Sequence, residues 1–140
     1  MYLPDVNVWL ALAFARHPQY PKAKNWFEKL PTAGCSFCRI TQLGFLRLAT
    51  NPKAFGDEAV SLVEAWPKYD ALLNDPRVAF IEEPAGLELH LRGYTRRRTY
   101  SPNLWSDAYL AAFARAASLE LVTFDKAFAQ FKKLKHKILS

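Results

Sequence analysis

Short apolar segments alternate with amphipathic segments along this chain, and the alternation predicts strands separated by helices. Apolar residues spaced three and four positions apart form one face of a helix, as Ala23, Trp26, Phe27 and Leu30 do. Apolar runs of about four residues are too short for stable helices and are typical of buried strands. The predicted strands span residues 1–4, 35–38, 78–81, 119–123 and 137–139. The predicted helices span residues 8–14, 20–30, 40–48, 58–74, 86–96, 104–117 and 126–131.

Side chains that accept hydrogen bonds from a first helical turn predict where two of these helices begin. Asn7 is predicted to cap the first helix, and Asp57 to cap the helix over residues 58–74, which Pro67 should kink. The buried face of that long helix is predicted to contain Ala59, Leu62, Val63, Trp66, Tyr69 and Leu73. Strands in alternation with helices are the pattern of a helix-covered parallel sheet. We predict a single, doubly wound α/β domain over residues 1–140, with a central parallel sheet of about four to five short strands flanked by helices.

Composition excludes several classes of protein. The 140 residues are 51% hydrophobic and 14% aromatic, which excludes disorder and provides material for a core. The longest uncharged run, residues 6–15, is too short to cross a bilayer, and the N-terminus has no secretory pattern. Cys35 and Cys38 have the spacing of half a zinc site, but no second pair exists, so both are predicted to be buried free thiols. We therefore expect a cytoplasmic protein that is not inserted in a membrane.

The charge balance indicates an affinity for polyanions. Nineteen Lys and Arg residues against thirteen Asp and Glu residues give a net charge of +6, which attracts RNA or DNA. One block of positive charge consists of Arg96, Arg97 and Arg98, which are candidate RNA contacts or, alternatively, an ordinary solvated loop. Few carboxylates are present, so their placement is informative.

Three aspartates are predicted to lie near one edge of the sheet. Asp5 follows the first strand, Asp125 follows the strand over residues 119–123, and Asp107 lies in the first turn of an alanine-rich helix. Ligands of open parallel sheets bind beyond the carboxyl ends of the strands. Carboxylates that converge there repel one another unless a cation lies between them, and oxygen ligands suit Mg²⁺ or Mn²⁺ rather than zinc. The alternative for each aspartate is an ordinary role as a cap or a partner of the helix dipole.

Four segments containing these residues resemble the motifs of a known family. They are DVNVW at residues 5–9, RITQLGFLRL at 39–48, NLWSDAYLAA at 103–112 and LVTFDKAF at 121–128. In this order and over essentially the whole chain, they are similar to the motifs of PIN-domain ribonucleases, in particular the VapC-type toxins of bacterial toxin–antitoxin pairs. The resemblance implies a metal-dependent endoribonuclease that forms a homodimer, acts on RNA and is inhibited by a cognate antitoxin protein.

The resemblance also implies roles for individual residues. The catalytic metal ligands would be Asp5, Asp107 and Asp125, with Mg²⁺ or Mn²⁺ as the cofactor. The polar supports of the same site would be Asn7, Gln42, Ser106 and Thr123. The family commonly has a glutamate where Gln42 stands, so we expect one well-occupied metal site rather than two.

Other interpretations remain open at this point. A non-catalytic PIN-like module that binds RNA or protein is the main alternative, and Gln42 favours it. A phosphatase of the haloacid dehalogenase kind would need an aspartate at position 7, where Asn7 stands. His17, His90 and His136 lie far from the motifs, which argues against a metal-free ribonuclease. All four tryptophans are predicted to pack in the core, and an antitoxin segment is predicted to bind over the helices that contain Trp9, Phe14 and Trp26.

Overall fold

The computed structural model describes all 140 residues and contains one parallel sheet of five strands. Every pair of neighbouring strands is parallel, and the strand order is β3-β2-β1-β4-β5. The strands are β1 (Tyr2–Pro4), β2 (Cys35–Phe37), β3 (Val78–Phe80), β4 (Glu120–Thr123) and β5 (His136–Ile138). The helices are α1 (Val6–Ala13), α2 (Tyr20–Phe27), α3 (Arg39–Ala49), α4 (Pro52–Phe55), α5 (Leu62–Leu73), α6 (Leu87–Tyr94) and α7 (Leu104–Ala116). Short 3-10 turns lie at Gly56–Glu58 and Lys126–Gln130.

Helices cover both faces of the sheet, which confirms the predicted doubly wound α/β architecture. On one face, Leu3 and Leu121 pack with apolar residues of α6 and α7. On the other face, Phe37 and Val122 pack with residues of α1, α2, α3 and α5. The side chains of Leu121 and Val122, neighbours in β4, point to opposite faces of the sheet, as successive side chains of a strand do. The two faces therefore have separate apolar cores.

The point where the strand order reverses lies between β1 and β4. From β1 the chain builds outward to β2 and β3 on one side, whereas β4 and β5 add on the other side. Pro4 pairs with Val122, and the backbone N–H of Asp5 donates to the Val122 carbonyl at 2.9 Å. The loops that follow β1 and β4 therefore leave the sheet side by side, at the place where open parallel sheets form a crevice.

The structure replaces both predicted helix caps. Helix α1 begins at Val6, and its cap is Asp5, whose Oδ1 accepts from the Val8 N–H at 3.2 Å; the prediction of Asn7 as the cap is wrong. Helix α5 begins at Leu62 and is capped by Ser61, not by Asp57. Ser61 and Glu64 exchange side-chain-to-backbone hydrogen bonds of 3.0 and 3.1 Å, a reciprocal arrangement that fixes the start of the helix.

The apolar face predicted for α5 is wrong in part. Ala65 and Tyr69 are buried, but Leu62, Val63 and Trp66 are 75%, 82% and 50% exposed. Helix α5 packs on the domain along one narrow stripe, so the apolar residues of its first turns remain on the surface. They form an unpartnered apolar face.

Two of the four tryptophans are in the core as predicted, and the prediction is wrong for Trp66 and Trp105. Trp9 stacks on Phe37 with ring centroids 3.8 Å apart, and Trp26 is 6% exposed, whereas Trp105 is 63% exposed. Trp9 is fully buried and lines no surface groove, whereas Trp26 lines a cavity with Tyr2 and Leu139, so the predicted antitoxin groove stays a prediction. Cys35 and Cys38 are buried free thiols, as predicted. None of the helices has the length and apolar character of a membrane span.

Candidate active site

Asp5 is held in place by hydrogen bonds to both of its carboxylate oxygens. Oδ1 accepts from the Val8 N–H of α1, and Oδ2 accepts from the hydroxyl of Thr123 at 2.5 Å. Thr123 itself is fully buried at the end of β4 and also accepts from the N–H of Asp125 at 2.9 Å. The Thr123 hydroxyl therefore joins Asp5, which follows β1, to Asp125, which lies two residues after β4, across the strand reversal.

Asp107 and Asp125 approach the same region from different elements. Asp107 lies in the first turn of α7 and is half-buried. Asp125 caps the 3-10 turn after β4, where its Oδ1 accepts from the Ala127 N–H at 2.9 Å. Asp5 and Asp125 are 120 positions apart in the sequence, yet they face the same space as Asp107.

That space is a cavity of about 360 Å³, here called the acidic cavity. Its volume is typical of sites for small ligands. Asn7 and Ser106, two of the polar supports, also line it, and the Ser106 hydroxyl donates to the Asn103 carbonyl at 3.1 Å. The aspartates that line the acidic cavity are Asp5, Asp107 and Asp125.

Burial and mutual repulsion raise the pKa values of two of these carboxyl groups. The pKa of Asp5 is raised to about 6, chiefly because the group is desolvated and also because Asp107 is near. Hydrogen bonds from Thr123 and from α1 act in the opposite direction. The pKa of Asp107 is also raised to about 6, first by desolvation and then by the charge of Asp125. A bound cation would offset the repulsion between these carboxylates.

The donor atoms in the acidic cavity fit a hard divalent cation. They are carboxylate, hydroxyl and amide oxygens, and no histidine or cysteine lines the cavity. As the side chains lie, no three acidic, histidine or cysteine residues are close enough to hold one ion together. Mg²⁺ usually keeps several water ligands and takes only one or two carboxylates directly, so such a cavity suits a hydrated ion.

Gln42 does not lie in the acidic cavity, although the sequence comparison placed it among the site residues. Its side chain is buried on another face of α3 and accepts from Arg39 at 2.5 Å. Helical periodicity separates the two faces: Gln42, Phe45 and Ala49 are buried together, whereas Thr41 and Gly44 line the cavity. Gln42 therefore gives no reason to expect one metal ion rather than two.

Asn103 and Arg47 are among the cavity residues that were not predicted from the sequence. Asn103 precedes α7, and Arg47 lies on the cavity-facing side of α3. Asn103 could have been found from its position at a helix start in a motif already singled out. Arg47 lies three positions after Gly44 and six after Thr41, which places all three residues on one face of α3. Only the packing of α3 shows that this face lines the cavity.

Close packing of α3 on α1 brings these residues to the acidic cavity. At Gly44 an added Cβ would lie 2.6 Å from a methyl group of Val6, so a larger residue would push the helices apart. Gly44, which faces the cavity one turn before Arg47, therefore has to lack a side chain. Helix α3 contributes no carboxylate to this site.

The basic block predicted from the sequence lies elsewhere on the surface. Arg96 and Arg97 line a second cavity of about 560 Å³, here called the basic cavity, and Arg97 donates to Gln130 at 2.6 Å. Arg98 does not line it. No acidic residue lines this cavity, and its titratable bases are His90, Arg96, Arg97, Arg115, Lys132 and Lys133.

Replacing Asp107 by Asn is expected to stabilise the metal-free protein at neutral pH. The folded-state pKa of about 6 lies above the ordinary 3.8, so the stability contributed by this group is greatest below that ordinary value. It is lost as the pH rises through 6, when a charge must be kept in a desolvated place. No hydrogen bond contributes to the pKa of Asp107, so the amide loses none.

Urea denaturation in excess chelator measures this effect. At about pH 7.5 the Asp107→Asn protein should unfold at higher urea than the wild type, and the difference should shrink at about pH 5. Titrating groups remote from Asp107 are common to both proteins, whereas loss of the Asp107 charge also removes a repulsion that raises the pKa of Asp5, which adds to the gain in stability. A variant that is less stable than the wild type at the higher pH would contradict the assignment.

Comparisons with known proteins agree with this architecture. The PIN domain family matches residues 2–134 of the chain. Ribonuclease VapC41 of Mycobacterium tuberculosis is 40% identical, over 100% of this chain and 99% of that protein. Ribonuclease VapC38 of the same species is 32% identical, over 89% of this chain and 85% of that protein.

Solved structures show the same fold at lower identity. The crystal structure of VapC20 from Mycobacterium tuberculosis, a sarcin-ricin loop cleaving toxin, has a TM-score of 0.66 at 20% identity and covers 93% of this chain and 94% of its own. VapBC2 from Rickettsia felis, bound to a DNA fragment of its promoter, gives a TM-score of 0.65 at 16% identity, over 99% and 98% of the two chains. The family match and the full-length relatives together establish that this chain belongs to the PIN-domain family, among the VapC proteins.

Proposed function

We propose that this protein is a metal-dependent endoribonuclease that hydrolyses RNA phosphodiester bonds and acts as the toxin of a toxin–antitoxin pair. The observation that carries the proposal is the convergence of Asp5, Asp107 and Asp125 on one cavity at the strand reversal. Relatives named ribonucleases, which cover 100% and 89% of this chain, support the same reaction class. No histidine lines the acidic cavity, so general base catalysis by imidazole finds no support there.

The three aspartates would hold Mg²⁺ or Mn²⁺ and be the catalytic residues. A divalent ion held by carboxylates supplies charge neutralisation at the phosphodiester and lowers the pKa of an attacking water. Thr123 fixes the orientation of Asp5 through its hydrogen bond. Asn7 and Ser106 are exposed polar groups on the cavity wall, where the Asn7 amide can donate a hydrogen bond to the RNA backbone.

The basic cavity supplies a surface for the RNA strand. Its bases come from α6, the loop after α6, α7 and the segment after the 3-10 turn. Arg96, Arg97, Lys132 and Lys133 are exposed. The same 3-10 turn begins beside Asp125 and ends at Gln130, which lines the basic cavity. A chain of phosphates that passes the acidic cavity can therefore continue along this turn to a region of positive charge. Arg98 would contribute only general positive charge.

Two protein partners accompany this proposal. Structural neighbours include VapBC-1 from nontypeable Haemophilus influenzae and a toxin–antitoxin complex from Klebsiella pneumoniae, which supports a cognate antitoxin. The unpartnered apolar face of α5, with Leu62, Val63 and Trp66, supports a protein contact, which we assign to a homodimer. A cytoplasmic location follows if the substrate is cellular RNA.

Cleavage of RNA by the purified protein tests the enzyme. With Mg²⁺ or Mn²⁺ the wild type should cut labelled RNA within the chain, and excess chelator should abolish cutting. Full activity in chelator would contradict metal dependence. RNA binding without cleavage in every divalent metal would instead favour the non-catalytic PIN-like module.

Expression in a bacterial host tests the toxin role. Expression of the wild type alone should stop growth, and co-expression with the product of the adjacent gene should restore it. If the purified protein cleaves RNA but its expression leaves growth unchanged, the protein is a nuclease without a toxin role.

A further inference from the structure

Arg47 is the only positively charged residue on the wall of the acidic cavity. It lies on α3 and is exposed, and the other α3 residues on this wall are apolar, hydroxyl or glycine residues. Its backbone carbonyl accepts from Thr50, but its side chain takes part in none of the ion pairs of the protein. Those pairs are Arg16–Glu58, Lys24–Glu28, Arg77–Asp75 and Arg92–Glu88.

The guanidinium of Arg47 has no ion-pair partner although three carboxylates line the same cavity. An arginine that served to neutralise the aspartates would form a close ion pair with one of them, and Arg47 forms none. Its five N–H donors are therefore available to a ligand that enters the cavity.

We propose that Arg47 binds a non-bridging oxygen pair of the RNA phosphodiester in the acidic cavity, a proposal that rests on the endoribonuclease function. A guanidinium matches two phosphate oxygens with parallel hydrogen bonds. The charge balance explains why the site needs it. Three carboxylates and one divalent ion leave one negative charge, which repels a phosphodiester, and Arg47 brings the sum to zero.

Arg47 also explains how the site can work without a carboxylate from α3. Gly44 cannot carry one, because its Cβ would collide with Val6, and Gln42 faces elsewhere. A second divalent ion would have only the carboxylates that already hold the first one. The guanidinium places a permanent positive charge on the side of the cavity that lacks a carboxylate.

The proposal predicts opposite effects on two ligands. In Arg47→Ala, binding of a fluorescent single-stranded RNA of mixed sequence, measured in chelator, should weaken about tenfold because two charge-assisted hydrogen bonds are lost. Mg²⁺ affinity, measured by calorimetry without RNA, should rise about threefold because a neighbouring cation is gone. In Arg47→Lys, Mg²⁺ affinity should stay at the wild-type value, while RNA binding should remain weakened because lysine lacks the fork geometry.

Arg39→Ala is the matched control. Arg39 is on the same helix and its loss changes the net charge equally, but its guanidinium contacts Gln42 and lies over the Phe80 ring, outside the acidic cavity. It should leave Mg²⁺ affinity unchanged and affect RNA binding less than twofold. The proposal is overturned if Arg47→Ala and Arg39→Ala behave alike in both titrations.

These outcomes are separable from failure of the proposed function. A wild type that binds RNA through Arg47 and cleaves none would refute the enzyme and keep the phosphate site. A wild type that cleaves RNA with the same kcat and KM as Arg47→Ala would keep the enzyme and refute the phosphate site.

Discussion

The Asp107→Asn protein is expected to cleave RNA at least about 100-fold more slowly than the wild type at saturating Mg²⁺. The substitution keeps the shape of the side chain but removes one of three carboxylate charges facing the acidic cavity. Since Asp107 makes no hydrogen bond that shifts its pKa, the fold loses only an unfavourable desolvated charge. Loss of activity should therefore accompany a gain in metal-free stability, which a misfolded variant would not show.

Asp70→Asn provides the matched control. Asp70 is an exposed aspartate of α5 that does not line the acidic cavity, so this variant removes the same charge at a distance. Its cleavage rate should equal that of the wild type. Wild-type activity in Asp107→Asn, measured by single-turnover cleavage of labelled RNA, would exclude this aspartate from the catalytic site.

Thr123→Val should reduce both activity and stability. Valine has nearly the shape of threonine but cannot donate to Asp5 or accept from the Asp125 N–H, and both groups are then left unpaired. We expect a loss of about 1–3 kcal/mol in the free energy of unfolding. We also expect cleavage to fall by about 10–100-fold, as is usual when a residue that orients a metal ligand is removed.

Thr123→Ser separates the hydroxyl from the methyl group. Serine keeps the hydroxyl that joins Asp5 to Asp125, so most of the activity and the Mg²⁺ affinity should return, although some packing is lost. Chemical denaturation, calorimetric Mg²⁺ titration and cleavage rates measure the three effects. If Thr123→Val cleaves as fast as Thr123→Ser, the hydroxyl has no part in positioning Asp5.

Stability and function oppose each other in the acidic cavity. Burial of Asp5 makes its charge costly in the metal-free protein, and the same burial strengthens its attraction for a cation. Functional sites commonly hold groups whose pKa values are displaced in this way. Added Mg²⁺ should consequently stabilise the wild type, since a ligand that binds only the folded state favours it.

The amino-acid sequence by itself determined the strands and which candidate functional residues follow them. Periodicity located all five strands, because a short apolar run between turn residues has few alternatives to a buried strand. It also placed Asp5 and Asp125 within two residues of strand ends, and parallel strands bring their carboxyl ends to one edge. The basic character of the chain and the block at Arg96 and Arg97 were likewise visible without coordinates, because charge is a property of composition.

Only the tertiary structure decided which face of each helix is used. Gln42 and Arg47 stand on the same helix, and no local signal tells which of them faces the aspartates. The close approach of α3 to α1 at Gly44 sets that rotation, and it depends on the shape of Val6, 38 positions earlier. Likewise, Leu62 and Trp66 satisfy an apolar helical pattern but remain exposed, because burial depends on which neighbouring element covers a face. Periodicity reports that a helix has an apolar side, whereas long-range packing determines what that side contacts.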